Sequence, residues 1–429
     1  MKLSVRCSAF GLLGSLLITP SVLAQEIQLT LYYPVSVGGA LTQVVDGMIS
    51  DFKAQHQGID VNAIYAGNYD DTRTKVLAAM NAGQQVQTSV MFSIDMLELK
   101  QRGAIRPFDD FVQTEQDQQW LDSFYPALMK NGQVDGKTYG IPFQRSTIVM
   151  FYNKDLFRAA GLDPEQPPKT WAEMAEMATK LTQHNSDGTT KNWGIMIPST
   201  GYPYWMFGAF AKQQGEELMS ADGTSINFNS PRLVEALQYW QDLSRQHKAM
   251  PQGTIEWGTL RQNFLEQNTA MMWHTTGNLA AVMQEAKFDV GVAQLPANLA
   301  PGSPTGGGNF YLMNSGTEAE QQAAYELVKF MTSPERSAQW SIATGYVGVS
   351  PDSYRTDTMM AFAKQNPQML VARDQLAVAT AELATFDAGR IRRVLDDAIQ
   401  STLTGNATPQ AALDNAQQRA ERFLRRATR

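Results

Sequence analysis

The sequence predicts an α/β fold built on an open, mixed and mainly parallel sheet. Apolar and polar residues alternate over short runs, residues 27–32 and 59–65, which is the period of a half-buried strand. Each run is followed by apolar residues at helical spacing, first over residues 41–52 and then over 72–80. This order of strands and helices is typical of a mainly parallel sheet with helices packed on its faces.

Length and composition indicate an ordinary globular protein with more than one domain. The chain has 429 residues, enough for two or three domains. Its hydrophobic fraction of 43% and charged fraction of 18% lie in the globular range. It shows no internal repeat and no low-complexity tract.

The first 24 residues have the pattern of a signal peptide, which predicts export to the periplasm. Lys2 and Arg6 form its positive end, residues 9–18 form a short apolar core, and Ala24 ends a small-residue cleavage site. The core is too short to span a membrane. Cys7 is the one cysteine of the chain, so cleavage removes disulfides and thiolate metal sites from consideration.

The expected mature chain is acidic, and this disfavours some partners. Loss of two basic residues leaves 33 basic and 42 acidic residues, a net charge of −9. Such a charge makes nucleic acid a poor partner. An anionic ligand would have to be held by a few local groups, because the overall field of the protein repels it.

The stretch around residues 137–173 organises the rest of the chain. Asp135-Gly136 is a turn signal, Pro142 is expected to interrupt a strand, and residues 148–152 are predicted as a short buried strand. Thr170 with Glu173 forms a capping box that starts the next helix. A strand broken by proline suits a crossing between two lobes. A strand–loop–helix inside one domain explains the pattern equally well.

Later segments continue the alternation of elements. Residues 172–182 are predicted as a helix, 184–192 as a polar loop and 194–197 as a strand. Thr408-Pro409 is a helix start with a cap and a first-turn proline.

Three motifs in this region resemble family 1 extracellular solute-binding proteins of ABC importers. They are Gly140-Ile141-Pro142, the run 152–157 and Pro168-Lys169-Thr170-Trp171, and the run 160–171 is closest to members that bind sn-glycerol-3-phosphate. The resemblance implies a two-lobed, type II periplasmic-binding-protein fold with three crossings between lobes. The N-terminal lobe is then expected at 25–141 and 309–345, and the C-terminal lobe at 142–308 and 346–429.

The resemblance also implies the function. We expect a monomeric periplasmic protein that binds sn-glycerol-3-phosphate or a glycerophosphodiester between its lobes. It would deliver this ligand to two permease subunits served by a cytoplasmic ATPase. No cofactor, metal or catalytic residue is implied, and the protein itself is not expected to span the membrane.

Arg392 is the main candidate for binding the phosphate. Residues 391–399 have helical periodicity, and Arg392 falls at the edge of the apolar face whereas Arg393 points almost opposite. Geometry alone favours a surface salt bridge for Arg392. By resemblance it falls on the phosphate-binding arginine of the family.

The resemblance assigns further ligand contacts, each of which has a structural alternative. Gly308 falls on a ligand-contacting glycine, although a glycine run is more often a flexible loop. Tyr69 and Tyr346 fall on site tyrosines that could equally be core rings, and Ser146 falls on a site serine that could be a strand-end cap. Two aromatic positions that pack on glycerol are also matched, and without the resemblance both would be core aromatics: Tyr202 and Trp205.

The chain departs from the family on the polyol side of the site. Ser93 stands where the family has an acidic residue, and Asp95 is two residues further on. Thr275 replaces a serine, and Arg145 adds a cation in Gln144-Arg145-Ser146. The phosphate side is thus expected to be kept and the polyol side altered.

Two other functions stay open at this level. The nearest is a sugar or oligosaccharide binder of the same fold, which would use the aromatics without needing Arg392. The other is an exported hydrolase, because the many acidic residues leave a glycosidase-like carboxylate pair open. Against it, the four histidines lack metal-ligand spacing, and no nucleophile elbow or phosphate-binding loop motif is present.

Overall fold

The structure is a computed structural model that describes residues 26–34 and 41–428. The predicted signal peptide, with Cys7, lies outside the described residues. Within the described part, no helix has both the length and the apolar character needed to cross a membrane.

Strands and helices alternate through most of the described chain. The strands are β1 (Ile27–Tyr33), β2 (Ile59–Tyr65), β3 (Thr88–Phe92), β4 (Ile105–Arg106), β5 (Gln133–Val134), β6 (Lys137–Thr138), β7 (Ile141–Asn153), β8 (Gln183–His184), β9 (Thr190–Met196), β10 (Thr269–Thr275), β11 (Val290–Ala293) and β12 (Thr305–Met313). The helices of the first half are α1 (Leu41–Gln55), α2 (Tyr69–Asn81), α3 (Met96–Gln101), α4 (Glu115–Leu121), α5 (Pro126–Met129), α6 (Lys154–Ala159), α7 (Trp171–Leu181) and α8 (Pro203–Gln213). Those of the second half are α9 (Pro231–Arg245), α10 (Trp257–Leu265), α11 (Leu279–Glu285), α12 (Glu318–Met331), α13 (Pro334–Thr344), α14 (Asp357–Gln365), α15 (Val371–Gln375), α16 (Ala388–Thr404) and α17 (Pro409–Ala427).

Ten of these strands form one mixed sheet in the order β2-β1-β3-β12-β7-β10-β9-β8, with β4 beside β12 and β11 beside β7. The pairs of β1 with β2 and β3, and of β10 with β9, are parallel. Every pair that involves β7 or β12 is antiparallel. The predicted α/β sheet is confirmed. Its parallel share is smaller than the sequence indicated, because these two long strands run against their neighbours.

Strand β7 connects two parts of the sheet. All thirteen of its residues are buried. Its first half pairs with β12 as far as Thr147, opposite Thr305, and its second half pairs with β10 from Ile148, opposite Thr275. A change of partner within a single strand carries the chain from one part of the sheet to the other.

The predicted strand break at Pro142 is wrong. Gly308 lies opposite Gln144 and Asn309 lies opposite Pro142, so the register shifts by one residue and Phe143 has no partner. A β-bulge of this kind lets a strand continue past a residue that lacks an N–H donor.

Two predicted helix starts are confirmed. Thr170 accepts a hydrogen bond from the backbone N–H of Glu173 at 3.2 Å in a capping box. Thr408 accepts one from the N–H of Ala411 at 3.3 Å, with Pro409 in the first turn.

The predicted polar loop 184–192 is partly wrong, because β9 begins at Thr190 and pairs with β8. The polar composition of this segment therefore did not predict the strand that begins within it. The buried side chain of Asn192 is satisfied by a hydrogen bond to the carbonyl of Leu181 at 2.8 Å.

Helix α16 presents its predicted face to the interior. Its buried residues include Ile391, Val394, Leu395 and Arg392, whereas Arg393 is exposed. Helical geometry predicted that Arg392, and not Arg393, would face the interior, and the burial of the two side chains confirms this.

Candidate ligand-binding site

A cavity opens beside the strands at the centre of the sheet. We call it the central cavity, and its lining residues are Tyr69, Phe92, Ser146, Tyr202, Trp205, Trp257, Thr275, Gly307, Tyr346 and Glu382. These residues come from strand ends, helix starts, the interiors of β7 and β12, and two irregular segments. This is where α/β folds place ligands, because strand ends leave polar groups free to face a cleft.

Six of the ten predicted site residues line the central cavity together. They are separated by up to 277 positions in the chain, and they are Tyr69, Ser146, Tyr202, Trp205, Thr275 and Tyr346. The other four, which are Ser93, Arg145, Gly308 and Arg392, lie behind or beside the lining.

Aromatic rings form one wall of the cavity. Tyr69 stacks on Phe92, with ring centroids 4.6 Å apart. Tyr202 meets Phe92 edge-on at 6.0 Å and Trp257 edge-on at 5.0 Å. Interlocked rings of this kind give a rigid apolar surface suited to the carbon face of a small polyol.

The glycine run of β12 brings its backbone close to this wall. The indole of Trp205 donates a hydrogen bond from Nε1 to the carbonyl of Thr305 at 2.9 Å, and a Cβ on Gly306 would lie 2.5 Å from the same ring. Gly307 has φ of +101°, and a Cβ there would lie 1.9 Å from the backbone oxygen of Gln144. Both positions require glycine, because any side chain would displace the ring or the neighbouring strand.

Gly307 lines the cavity, whereas the predicted Gly308 lies one residue further along the strand. A Cβ at Gly308 would lie 2.8 Å from the ring of Tyr69. Successive residues of a strand face opposite sides, so a one-residue difference changes which glycine faces the cavity.

Glu382 is the acidic residue of the lining, and the sequence did not reveal it. Its Oε1 accepts a hydrogen bond from the hydroxyl of Tyr204 at 2.6 Å, and its Oε2 accepts one from Ser93 at 3.2 Å. Asn131 holds its backbone from both sides, at 2.8 and 3.0 Å. The carboxyl is therefore fixed in place at the cavity wall.

The environment of Glu382 shifts its protonation. Burial raises the pKa of this carboxyl to about 7, although Tyr204, Arg145, Arg392 and Ser93 all act to lower it. Near neutral pH the group thus exchanges readily between an acceptor and a donor of hydrogen bonds.

Arg392 lies beside the cavity lining, against the rings of the lining residue Phe92 and of Tyr204. Its guanidinium carbon is 5.2 Å from the ring centre of Phe92 and 5.3 Å from that of Tyr204. Its Nη2 is 3.6 Å from Oδ1 of Asp70, which is longer than a hydrogen bond. Its Nε is buried and has no hydrogen-bond partner among the described residues. An arginine held in this way has unused capacity to bind an anion.

Arg145 does not reach the cavity lining. Its guanidinium is fully buried and donates to the carbonyl of Gly307 at 3.2 Å and to the hydroxyl of Thr305 at 2.9 Å. Its side chain therefore holds β12 in place and contributes positive charge behind the wall of the cavity.

Ser93 and Asp95 are also set back from the lining. Both are buried at the end of β3, and Ser93 acts through its hydrogen bond to Glu382. Burial raises the pKa of Asp95 to about 6, with Arg73 and Arg392 opposing that rise. The carboxyl that lines the cavity is thus Glu382, not Asp95.

Four lining residues were missed by sequence reasoning, for different reasons. Gly307 lies inside the glycine run 306–308 and Phe92 lies next to the predicted Ser93, so both carry a local signal. Trp257 is the first residue of α10 and lies in no distinctive motif. Glu382 lies in the irregular segment 379–387, where no periodicity indicates which side chains turn inward.

No group of three or more histidine, cysteine, aspartate or glutamate side chains in residues 26–34 and 41–428 is arranged to hold a metal ion. The arrangement instead offers an arginine, a carboxyl, backbone groups and aromatic faces to a small ligand.

Comparison with known proteins shows the family to which the chain belongs. Residues 47–371 match the model of the bacterial extracellular solute-binding proteins. The sn-glycerol-3-phosphate-binding periplasmic protein UgpB of Pectobacterium atrosepticum is 29% identical over 407 residues, covering 91% of this chain and 90% of that protein. The protein of the same name from Escherichia coli K12 is also 29% identical, with 91% of each chain covered.

Solved structures share the fold. UgpB from Mycobacterium tuberculosis in complex with glycerophosphocholine has a TM-score of 0.81 at 22% identity, over 93% of this chain and 99% of that one. The maltodextrin-binding domain MalE from Bdellovibrio bacteriovorus, bound to maltotriose, has a TM-score of 0.78 at 24% identity, over 93% of this chain and all of that one. The fold is thus the two-lobed type II periplasmic-binding-protein fold. The chain belongs to the bacterial extracellular solute-binding protein family, whose members are the substrate-binding components of ABC importers.

Proposed function

We propose that this protein binds sn-glycerol-3-phosphate or a glycerophosphodiester in its central cavity, in the periplasm, and delivers it to the permease of an ABC importer. Relatives that carry the name of a glycerol-3-phosphate-binding protein match nine-tenths of the chain. Carriage of the ligand to two permease subunits with a cytoplasmic ATPase, and action as a monomer, belong to the same proposal.

The observation that carries the proposal is the placement of Arg392. A guanidinium that is about nine-tenths buried, held against two rings and left with an unpaired Nε, is costly to the fold unless it has a further partner. A phosphate beside this guanidinium would provide charge-assisted hydrogen bonds. A neutral sugar would offer no charged acceptor to this unpaired Nε.

The polyol part of the ligand fits the rest of the lining. Glu382 offers a buried carboxyl to hydroxyl groups, and Tyr202, Trp205 and Trp257 offer ring faces to carbon.

Closure of the two lobes would complete the site. Several contacts join residues assigned to different lobes by the predicted boundaries 25–141 with 309–345 and 142–308 with 346–429. Arg392 approaches Asp70, and Glu382 bonds to Ser93 and Asn131. A ligand that touches both sides would stabilise this closed arrangement and exclude water from its phosphate.

The test is calorimetry on residues 25–429 after unfolding and refolding, which removes any ligand carried through purification. The titrants are sn-glycerol-3-phosphate, glycerophosphocholine and maltose. The proposal predicts saturable one-to-one binding of a phosphoester and no binding of maltose. Binding of maltose alone would keep the fold and contradict the phosphate site, and turnover of any titrant would indicate an enzyme.

A further inference from the structure

Asp70 lies beside the guanidinium that the proposed function assigns to the ligand phosphate. Its Oδ1 is 3.6 Å from Nη2 of Arg392. Asp70 is in the first turn of α2, immediately after the cavity residue Tyr69. A carboxylate therefore stands at the mouth of the anion site, where it and a bound phosphate would share one cation.

The two partners differ in their freedom to move. The side chain of Arg392 is 10% exposed and lies against two rings, so it is fixed. The side chain of Asp70 is 66% exposed, and the 3.6 Å separation is too long for a hydrogen bond. Asp70 can turn into solvent at little cost, whereas Arg392 stays where a ligand would meet it.

We propose that Asp70 is an internal competitor for the phosphate, and that it sets which ligand charge the site accepts. The inference rests on the proposed function. In the empty site Asp70 partly neutralises Arg392. When a phosphoester binds, the carboxylate must turn away, and its remaining charge repels the ligand.

Other charges lie near this cation. Asp95 and Glu382 are also within electrostatic range of Arg392, and Arg73 and Arg145 partly offset those two carboxyls. A phosphomonoester carries close to two negative charges above neutral pH, and a phosphodiester carries one. Coulombic repulsion from Asp70 scales with that charge, so Asp70 weakens binding of the monoester more than binding of the diester.

The experiment measures calorimetric affinities of the wild type and Asp70→Asn at pH 8 for two ligands. One is sn-glycerol-3-phosphate, and the other is glycerophosphoglycerol, a diester with one negative charge and no cation. The substitution should tighten binding of the monoester about tenfold and of the diester about threefold, because the logarithm of the gain follows ligand charge. In 1 M salt the two gains should shrink, since screening acts within about 3 Å there.

Glu285→Gln is the control, because it removes one negative charge from the exposed end of α11, outside the cavity lining. It should change neither affinity. Unchanged or weaker monoester binding by Asp70→Asn, or equal gains for both ligands, would overturn the inference while leaving wild-type phosphoester binding intact. Absence of phosphoester binding in both proteins would instead overturn the proposed function, and this inference with it.

Discussion

Ser93 donates a hydrogen bond to Glu382 across 289 residues of sequence, with 3.2 Å between Ser93 Oγ and Glu382 Oε2. The second carboxyl oxygen of Glu382 accepts from Tyr204 at 2.6 Å. Tyr204 in turn lies under the guanidinium of Arg392. Tyr204 thus contacts both the carboxyl of Glu382 and the guanidinium of Arg392. Substitutions of Glu382 and of Arg392 can therefore be compared in the same binding assay.

The first prediction concerns the carboxyl of Glu382. Glu382→Gln keeps the shape of the side chain and removes its charge, so hydroxyl groups of the ligand lose a charged acceptor. Hydrogen bonds to charged groups contribute about 1.5–3 kcal/mol, which predicts at least about tenfold weaker phosphoester binding by calorimetry. An affinity equal to that of the wild type would show that Glu382 does not contact the ligand.

The second prediction concerns the pH dependence of stability. Burial raises the pKa of Glu382 from 4.5 to about 7 and that of Asp396 from 3.8 to about 7. Between about pH 4 and pH 7 the folded state therefore holds protons that the unfolded chain has released. The free energy of unfolding should fall as pH rises through this window and level off above it.

Glu382→Gln should reduce that slope, because glutamine does not titrate. The rise in the pKa of Glu382 corresponds to about 3 kcal/mol of unfolding free energy. Denaturant titrations between pH 4 and pH 8 would measure it, with Glu285→Gln as the matched change at an exposed site. An identical slope in the wild type and Glu382→Gln would show that Glu382 titrates normally.

The third prediction concerns the contact between Trp205 and the glycine run. A Cβ at Gly306 would lie 2.5 Å from the indole, so Gly306→Ala must push the ring out of the cavity wall. Overpacking of this kind costs about 1–3 kcal/mol, and we expect weaker ligand binding together with a lower melting temperature. Gly47→Ala, where no atom lies within 4 Å of the new methyl group, should leave binding unchanged. Normal binding by Gly306→Ala would mean that Trp205 is not a ligand contact.

Local signals in the sequence predicted the fold well where structure depends on neighbouring residues. The cap at Thr170 depends on Glu173 three residues away, and the burial of Arg392 depends on the period of its own helix. Such features need no knowledge of distant partners. The strand at Pro142 was different, because its continuity depends on a bulge formed with β12 more than 160 residues later.

The cavity residues also differ in whether the sequence around them or contacts with distant residues reveal their role. Tyr69 and Tyr346 were identified because they match site tyrosines of the resembling family, and both line the cavity. Glu382 has no motif or periodicity, and its role follows only from contacts with Ser93, Asn131 and Tyr204 in other parts of the chain. Arg145 was expected near the ligand, but its burial against β12 depends on the strand pairing. Pairing partners across hundreds of residues are not encoded by local pattern.

The most direct test of the phosphate site compares Arg392→Ala with Arg393→Ala. The two residues are adjacent on α16, and only Arg392 is buried beside the cavity lining. The measurement is calorimetry with sn-glycerol-3-phosphate and glycerophosphocholine, on refolded proteins whose melting temperatures match. Arg392→Ala should lose binding or weaken it at least about a hundredfold. The reason is that a charge-assisted hydrogen bond contributes roughly 1.5–3 kcal/mol, and a bidentate pair contributes more. Arg393→Ala should bind like the wild type. Equal affinities in all three proteins would contradict the account, because the phosphate would then be held elsewhere.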